Sequence, residues 1–467
     1  MDDKKTEMQL LEGEISYKSK NVYEEFYQII ADRIDEFITG YMDFINRSKT
    51  ERECTKTSIA MLEERGFVPY NPKQTYRPGD KIYFNNRSRS LIAAVIGTQP
   101  LEEGVNICAA HIDSPRLDLK QNPIYEDTEL AFLKTHYYGG IKKYQWVTIP
   151  LSIHGVIVKK DGQAIDIVIG EDEDDPVFCV NDLLPHLSRK TQNKRLAPEV
   201  IKGEELNVLI GSVPVDDKKV KEKVKLNVLK LLYEKYGVVE SDFLSADLEI
   251  VPAFRARYVG FDRSMIGAYG QDDRVCAYTI LRALLDVDKP VRTAVCVLAD
   301  KEETGSAGNT GLASDMLRHF LSLLCRAHNA LPELALMNSR ALSADVNAAL
   351  DPTFPDVMEK RNASYLSYGP VVTKFTGSGG KSNTSEAPAE FMAQVRRMLD
   401  DAGIPWQIGE LGKVDEGGGG TVAQFLANLG IETVDVGVAL LSMHSPFEIA
   451  SAPDIMAAYM GFRTFYL

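Results

Sequence analysis

The spacing of apolar residues changes twice along the chain and divides it into three stretches. Up to about residue 80 the apolar side chains recur every three or four positions, the period of a helix face: Val22, Phe26, Ile29, Ile30, Ile34 and Ile38. From about residue 90, short β-branched runs replace this period. Residues 90–97 and 105–113 are two such runs separated by a glycine-bearing turn, and they predict two adjacent strands.

The middle stretch, residues 121–255, is rich in strand-like runs. Three of them lie at residues 146–151, 153–158 and 164–169. An acidic loop follows at residues 171–176. An amphipathic helix comes next, with lysines opposite an apolar face: Val220, Val224, Val228 and Leu232. We interpret this stretch as an inserted, mostly β, second domain.

Strands and helices alternate from about residue 256 to the end. The predicted strands are 291–300, part of 334–345, 369–375 and 433–441, and the predicted helices are 312–328, 390–402 and 421–429. This alternation predicts a mostly parallel sheet flanked by helices, in which ligands gather at the carboxyl ends of the strands. The fold class is therefore α/β. Residues 1–120 and 256–467 would form one domain that residues 121–255 interrupt.

Composition narrows the possible partners. The chain has 467 residues and a net charge of -14, which argues against a nucleic-acid partner. No stretch approaches the length of a membrane-spanning apolar segment, and the polar start, Met1–Lys5, does not look like a secretory signal. The six cysteines are scattered without a CxxC pair, which indicates the reducing cytoplasm. Any metal would therefore be held by histidines and carboxylates.

Such residues occur at the ends of five apparent strands: His111 with Asp113, Asp272, Glu302 with Glu303, Asp345, and His444. Residues two apart in a strand share a face, so His111 could bind a metal while Asp113 orients its imidazole. A polar strand end before a Ser-Pro turn is the alternative.

Taken singly, the carboxylates in this set also allow two interpretations. Asp272 could cap a helix or lie between two cations. Glu302 and Glu303 end a buried strand, where desolvated carboxylates need partners, although a surface turn would also accommodate them.

Taken together, the five places form a charge-balanced set. Two Zn²⁺ ions carry four positive charges, and the carboxylates of Asp272, Glu303 and Asp345 carry three negative charges. The one positive charge that remains suits a bridging hydroxide. Two metals about 3.5–4 Å apart lower the pKa of a shared water toward about 7. Glu302 would take the proton of that water and return it to a leaving amine. The reaction implied is hydrolysis of an amide bond.

These motifs, in this order and with a large insert, resemble the aspartyl aminopeptidase family, which includes vacuolar aminopeptidase I. The similarity covers the whole chain and rests on segments 111–115, 302–303, 343–345 and 443–445. It implies a metalloaminopeptidase whose catalytic α/β domain is interrupted by a β-rich dimerisation domain. The metals implied are two divalent ions per chain, Zn²⁺ first, with Co²⁺ or Mn²⁺ as alternatives.

The resemblance also implies partners. It implies peptide substrates and assembly of dimers into a hollow dodecamer. Residues 138–140 followed by Trp146 are similar to the start of the family's insert, and His186 is the nearest match to an insert histidine that supports a neighbouring subunit's site. Lys374 is a candidate for the substrate side-chain pocket. Whether acidic or neutral N-terminal residues are preferred stays open.

Two other functions remain possible from the sequence. A carboxypeptidase or amidohydrolase could use the same two-metal centre. A non-catalytic assembly protein could have kept the family's shell, although no ligand position is lost in this chain.

Overall fold

Strands from all parts of the chain meet in a nine-stranded central sheet. The computed structural model describes residues 6–24 and 26–467, so the expectation for Met1–Lys5 lies outside the described residues. Strands are numbered along the chain, and those of the central sheet are, in spatial order, β1 (Val68–Pro69), β2 (Lys81–Asn86), β3 (Ser90–Val95), β14 (Ala294–Ala299), β4 (Asn106–His111), β15 (Arg340–Ser343), β21 (Glu432–Gly437), β17 (Val371–Thr373) and β19 (Gln407–Ile408).

The middle of this sheet is parallel, and one sequence prediction about it is wrong. β14, β4, β15 and β21 run parallel, whereas β3 runs antiparallel to β14. β3 and β4 are not adjacent as predicted, because β14 lies between them. β14 is apolar at every position and buried at every position, so it takes a central place with both faces covered. The connection 96–105 spans the resulting gap.

A second sheet of seven strands is built from the middle of the chain. Its strands are, in spatial order, β8 (Ala164–Ile169), β7 (Leu151–Val158), β11 (Asp247–Pro252), β5 (Arg116–Asp127), β6 (Leu130–Tyr138), β10 (Asn207–Gly211) and β9 (Cys179–Val180). Every pairing in it is antiparallel.

The strand predicted at 146–151 is absent from this sheet as the structure describes it. Residues 146–149 form bends, and β7 begins only at Leu151. Thr148 has a positive φ, which a β-branched residue in a strand does not adopt, and Pro150 cannot donate to a ladder. Trp146 is fully buried and packs edge-on against Tyr269 instead.

A third sheet has five strands, and a small ribbon completes the strands described. The five are β12 (Arg257–Val259), β13 (Met265–Ala268), β23 (Glu448–Ser451), β22 (Ala439–Leu441) and β16 (Asn347–Ala348), and the ribbon pairs β18 (Gly377–Ser378) with β20 (Gly418–Gly419). The single strand predicted at 433–441 is therefore two strands in different sheets. Val438 separates the two strands, and a β-carbon on the preceding Gly437 would collide with the Asp345 carbonyl oxygen.

Helices pack against the sheets. Those of the described residues are α1 (Glu7–Ile15), α2 (Phe26–Asn46), α3 (Glu51–Glu64), α4 (Pro185–Ser188), α5 (Lys223–Tyr236), α6 (Gln271–Leu285), α7 (Met316–Ala327), α8 (Pro332–Met337), α9 (Ala389–Asp401), α10 (Ala423–Ala427) and α11 (Ala452–Tyr466). α6 is buried on nearly every side and packs against α11 and β4. None of the helices in the described part of the chain is both long and apolar enough to cross a membrane.

Candidate active site

The central sheet delivers three of the predicted site segments to one edge. β4, β14 and β15 are parallel neighbours, so their carboxyl ends coincide, with His111 paired to Ala299. A short 3₁₀ turn, Glu302–Thr304, follows β14, and Asp345 follows β15. The edge of a parallel sheet thus brings an imidazole and three carboxylates together, as the strand-end pattern predicts.

The five-stranded sheet supplies the opposite wall. Asp272 stands at the start of α6, directly after β13, and His444 follows β22. Both residues depart from regular structure: the backbone of Asp272 is not helical, and His444 has a positive φ. The two segments face the sheet edge from its far side.

The Asp272 carboxylate lies between the two histidines. Its Oδ1 is 3.1 Å from His111 Nε2, and its Oδ2 is 3.2 Å from His444 Nε2. Burial alone would raise the pKa of Asp272, but these two imidazoles hold it well below its usual value. One carboxylate with each oxygen on a different imidazole has the geometry of a bridge between two centres.

Each histidine has a further carboxylate beside it. Asp345 Oδ1 is 3.9 Å from His111 Nε2, and Glu303 Oε2 is 3.6 Å from His444 Nε2. Glu302 Oε2 lies 3.9 Å from His111 Nε2. The five residues therefore fall into two half-sites that share Asp272: His111 with Asp345, and His444 with Glu303.

Asp113 holds both an imidazole and the turn that carries the glutamates. Its backbone oxygen is 3.0 Å and its Oδ1 3.4 Å from His111 Nδ1. Its Oδ1 accepts the backbone N–H of Glu302 at 3.1 Å, and its Oδ2 accepts that of Glu303 at 3.2 Å. Although burial opposes it, the contact with His111 lowers the pKa of Asp113. Asp113 therefore fixes His111 and the two glutamates in one frame.

The two adjacent glutamates differ in exposure. The Glu302 side chain is 21% exposed and that of Glu303 is 3% exposed. Burial, with the nearby charge of Asp272, raises the pKa of Glu302 to about 6. The same two causes raise the pKa of Glu303 well above its usual value. Glu302 is thus the acid of the pair that reaches solvent.

Two glycines from the seven-stranded sheet close the third side. Gly140 O accepts a hydrogen bond from His444 Nδ1 at 2.8 Å, which leaves Nε2 facing Asp272. Gly139 has a φ of +73°, and a β-carbon there would lie 3.2 Å from Glu303 Oε2. Only a residue without a side chain lets the end of β6 approach so closely.

Two acidic residues at the site were missed by the sequence reasoning. Glu448 is buried, and its Oε1 and Oε2 accept the backbone N–H groups of His444 at 2.7 Å and Asp272 at 3.0 Å. Asp273 accepts the backbone N–H of His111 at 3.3 Å. A carboxylate at the start of a buried strand was the available signal for Glu448, and the Asp-Asp pair was the signal for Asp273.

The remaining predicted residues lie apart from this cluster in the single chain. His186 is exposed in the short helix α4 of the insert, and Lys374 is exposed directly after β17. Within the described part of the molecule, neither makes a hydrogen bond or ion pair to the cluster. Their suggested roles involve a neighbouring subunit and a substrate, so they stay predictions.

The donor set suits a divalent cation. His111, Asp272 and Glu303 present one ligand atom each within 4.8 Å of one another, and so do His111, Asp273 and Asp345. Glu303 Oε1 is buried and has no hydrogen-bond partner among the described residues. Imidazole and carboxylate ligands are those that Zn²⁺ and related ions take, and buried carboxylates this close need cations. The residues present therefore fit a metal centre.

Comparison with known proteins gives a family and several relatives. Residues 44–466 match the sequence model of the family described as aminopeptidase I zinc metalloprotease (M18). A Clostridium acetobutylicum protein named probable M18 family aminopeptidase 1 is 52% identical over 454 residues, covering 96% of this chain and 97% of that protein. The crystal structure of an M18-family aminopeptidase from Thermotoga maritima superposes with a TM-score of 0.91 at 44% identity, covering 97% of this chain and 99% of that chain.

A more distant structure shares the fold. The S. cerevisiae mApe1 dodecamer superposes with a TM-score of 0.75 at 22% identity, covering 93% of this chain and 97% of that chain. The close structural matches confirm the α/β fold class inferred from the sequence.

Proposed function

The chain belongs to the M18 family of zinc metalloproteases and is an M18 aminopeptidase, and we propose that the cluster between its three sheets is the catalytic centre. In this proposal two divalent cations are held by five ligands, of which Asp272 is shared: His111, Asp272, Glu303, Asp345 and His444. The cations are zinc, with cobalt or manganese as substitutes. Glu302 is the general base, and Asp113 orients His111.

One observation carries the two-metal proposal. The two oxygens of Asp272 face different imidazoles, at 3.1 and 3.2 Å, and a second carboxylate lies beside each imidazole. A single-metal site would gather its ligands around one point. These contacts suit two half-sites that share Asp272.

The chain's own groups then account for the proton transfers. When bound, the cations supply Lewis-acid chemistry, acidifying water and polarising the scissile carbonyl. The Glu302 carboxylate accepts a proton from the attacking water and delivers it to the leaving amine. Burial raises the pKa of Glu302, which favours the protonated form that delivers the proton to the leaving amine. Asp113 keeps it in place through the amide of Glu302.

Glu302→Gln tests the base. We expect the variant to keep the metal content of the wild type, because Glu302 is not a ligand, while kcat falls by about 100-fold or more. Glu390→Gln, an exposed glutamate at the start of α9, is the matched control and should retain full turnover. Wild-type kcat in Glu302→Gln would remove the base assignment.

A blocked amine separates the proposed reaction from its enzymatic rival. An aminopeptidase should hydrolyse a peptide with a free amine and leave the N-acetylated peptide intact. Hydrolysis of both would instead support a carboxypeptidase or amidohydrolase. Less than one metal equivalent per chain, with no activity after metal addition, would support the non-catalytic assembly protein.

Substrate choice and subunit contact are proposed for two exposed residues. Lys374, after β17, would contact the substrate's first side chain, and His186 of the insert would reach a neighbouring subunit's centre. Aminoacyl chromogenic substrates with acidic and neutral residues test the first: Lys374→Met should change their relative kcat/KM. His186→Ala tests the second, since its loss should lower kcat only in the assembled protein.

The domain arrangement and assembly are also proposals. Residues 1–120 and 256–467 would form the catalytic domain, and residues 121–255, which hold most of the seven-stranded sheet, would form a dimerisation domain. Six dimers would build a dodecamer, and the six free thiols suit a cytoplasmic location. Light scattering of the purified protein should give the mass of twelve chains, whereas a monomeric mass would refute the assembly.

A further inference from the structure

We propose that Tyr138, the last residue of β6, is a positioning residue that holds Asp113 and, through it, the turn carrying Glu302. The inference rests on the proposed function, because it assigns Tyr138 to that same centre. It makes the seven-stranded sheet part of the catalytic machinery, beyond any role in subunit contact.

Tyr138 makes a short hydrogen bond to Asp113, the carboxylate that accepts the backbone N–H groups of Glu302 and Glu303. The Tyr138 hydroxyl donates to Asp113 Oδ2 at 2.7 Å, and both groups are buried. The same oxygen accepts the amide of Glu303, and Oδ1 accepts the amide of Glu302. The phenol therefore sets the rotation of the carboxylate plane on which both amides rest.

The phenol ring is itself held by the seven-stranded sheet. The guanidinium of Arg116, on β5, lies 3.9 Å from the centre of the Tyr138 ring. Arg116 Nε is 2.8 Å from Asp118 Oδ1 and 3.2 Å from Glu249 Oε2, which belong to β5 and β11. Arg116 Nη1 is also 3.6 Å from Glu51 Oε2 of α3. Residues of the seven-stranded sheet and of α3 thus hold Arg116 against the ring that orients Asp113, which lies in the connection between β4 and β5.

Removal of the hydroxyl isolates this role. In Tyr138→Phe the ring remains for Arg116 to stack on, while Asp113 Oδ2 loses its 2.7 Å donor and keeps only the weaker one at 3.2 Å. The carboxylate can then rotate, and Glu302 and His111 move with it. A displacement of about 1 Å at reacting groups costs up to about 100-fold in rate, and loss of an outer partner of a metal ligand costs about 10-fold or more in metal affinity or activity.

The test compares Tyr138→Phe with Tyr137→Phe. Tyr137 is the preceding residue on β6, is exposed, and loses the same atom, so it is a matched control. We expect kcat to fall at least about 10-fold in Tyr138→Phe with KM unchanged, and zinc transfer to a chromogenic chelator to become faster. Both quantities should stay at wild-type values in Tyr137→Phe.

A rescue variant separates positioning from packing. Tyr138→4-aminophenylalanine restores an N–H donor at the same place and should recover most of kcat, and it also serves if the phenylalanine variant does not fold. Wild-type kcat and zinc release in Tyr138→Phe would overturn the inference, as would absence of rescue by the amino variant. If the wild type itself hydrolyses no peptide, the proposed function fails, whereas the zinc-release comparison still tests the placement of His111 by Tyr138.

Discussion

Glu448 connects two of the ligand segments through their backbone without contacting either histidine ring, and its replacement by glutamine should weaken metal binding. The carboxylate has one oxygen for each of two backbone donors, His444 N–H at 2.7 Å and Asp272 N–H at 3.0 Å. In Glu448→Gln the amide offers one acceptor oxygen for these two donors. Its NH₂ group must then face the other N–H.

The magnitude follows from this count of hydrogen bonds. One buried backbone N–H loses its acceptor, and a donor left unsatisfied in this way costs about 1–3 kcal/mol. Since about 1.4 kcal/mol is a factor of ten, zinc affinity should fall by about 10- to 100-fold if the loss appears in binding. Asp272 and His444 would still be present as ligands, so binding is weakened and not abolished.

Competition against a chromogenic chelator measures this affinity directly. Glu432→Gln, a half-exposed glutamate on β21 with only a 3.8 Å contact to Arg340, is the control and should bind zinc as the wild type does. An unchanged zinc affinity in Glu448→Gln would refute the claim that backbone anchoring of the ligand segments preorganises the centre.

Three further predictions follow from the same contacts. His154 is buried between Glu53 and Glu171, and although burial opposes it, these carboxylates raise the pKa of His154 above the ordinary 6.5. The protonated imidazole therefore stabilises the fold fully below about pH 6.5. This stabilisation is lost as the pH rises through the pKa of His154 in the folded protein. The difference in melting temperature between wild type and His154→Gln should narrow from pH 6 to pH 9, and a constant difference would contradict this. Gly139→Ala should lower kcat as well as stability, whereas Gly66→Ala, also at positive φ but with open space around it, should lower stability alone, as thermal melts and initial rates would show. Removal of metal with a chelator should abolish hydrolysis, and added zinc should restore it; retained activity in the metal-free protein would contradict the metal requirement.

The candidate ligands could be selected from the sequence because the ends of strands can be recognised there, and the ends of neighbouring parallel strands lie close together. His111 ends β4, Glu303 and Asp345 follow β14 and β15, and parallel neighbours bring their carboxyl ends to one edge whatever the details of packing. The apolar runs that precede them made the strands recognisable. The placement of these residues together is therefore a consequence of local pattern and general topology.

The order of strands could not be predicted in the same way. β3 and β4 follow each other in sequence with a short connection, and the turn between them looks like that of a neighbouring pair. Their separation by β14 depends on which apolar strand gains most from a central place, a competition among segments far apart in the chain. The split of 433–441 likewise depends on Asp345 approaching Gly437.

The supporting contacts of the site were also beyond the sequence. Glu448 accepts the backbone N–H groups of His444 and Asp272, and the Gly140 carbonyl oxygen accepts the N–H of the His444 imidazole. Such contacts between elements have no fixed spacing or residue type. Tyr138 was noticed only as the start of an insert. Its hydroxyl meets Asp113 because Tyr138 on β6 pairs with Arg116 on β5, three residues after Asp113, a register that the sequence analysis did not predict.

Anomalous diffraction at the zinc edge, from crystals of the zinc-loaded protein, would locate the metal ions. We expect two peaks per chain about 3.5–4 Å apart, one between His111, Asp272 and Asp345 and the other between His444, Asp272 and Glu303. A single peak per chain, or peaks away from Asp272, would contradict the two-metal proposal.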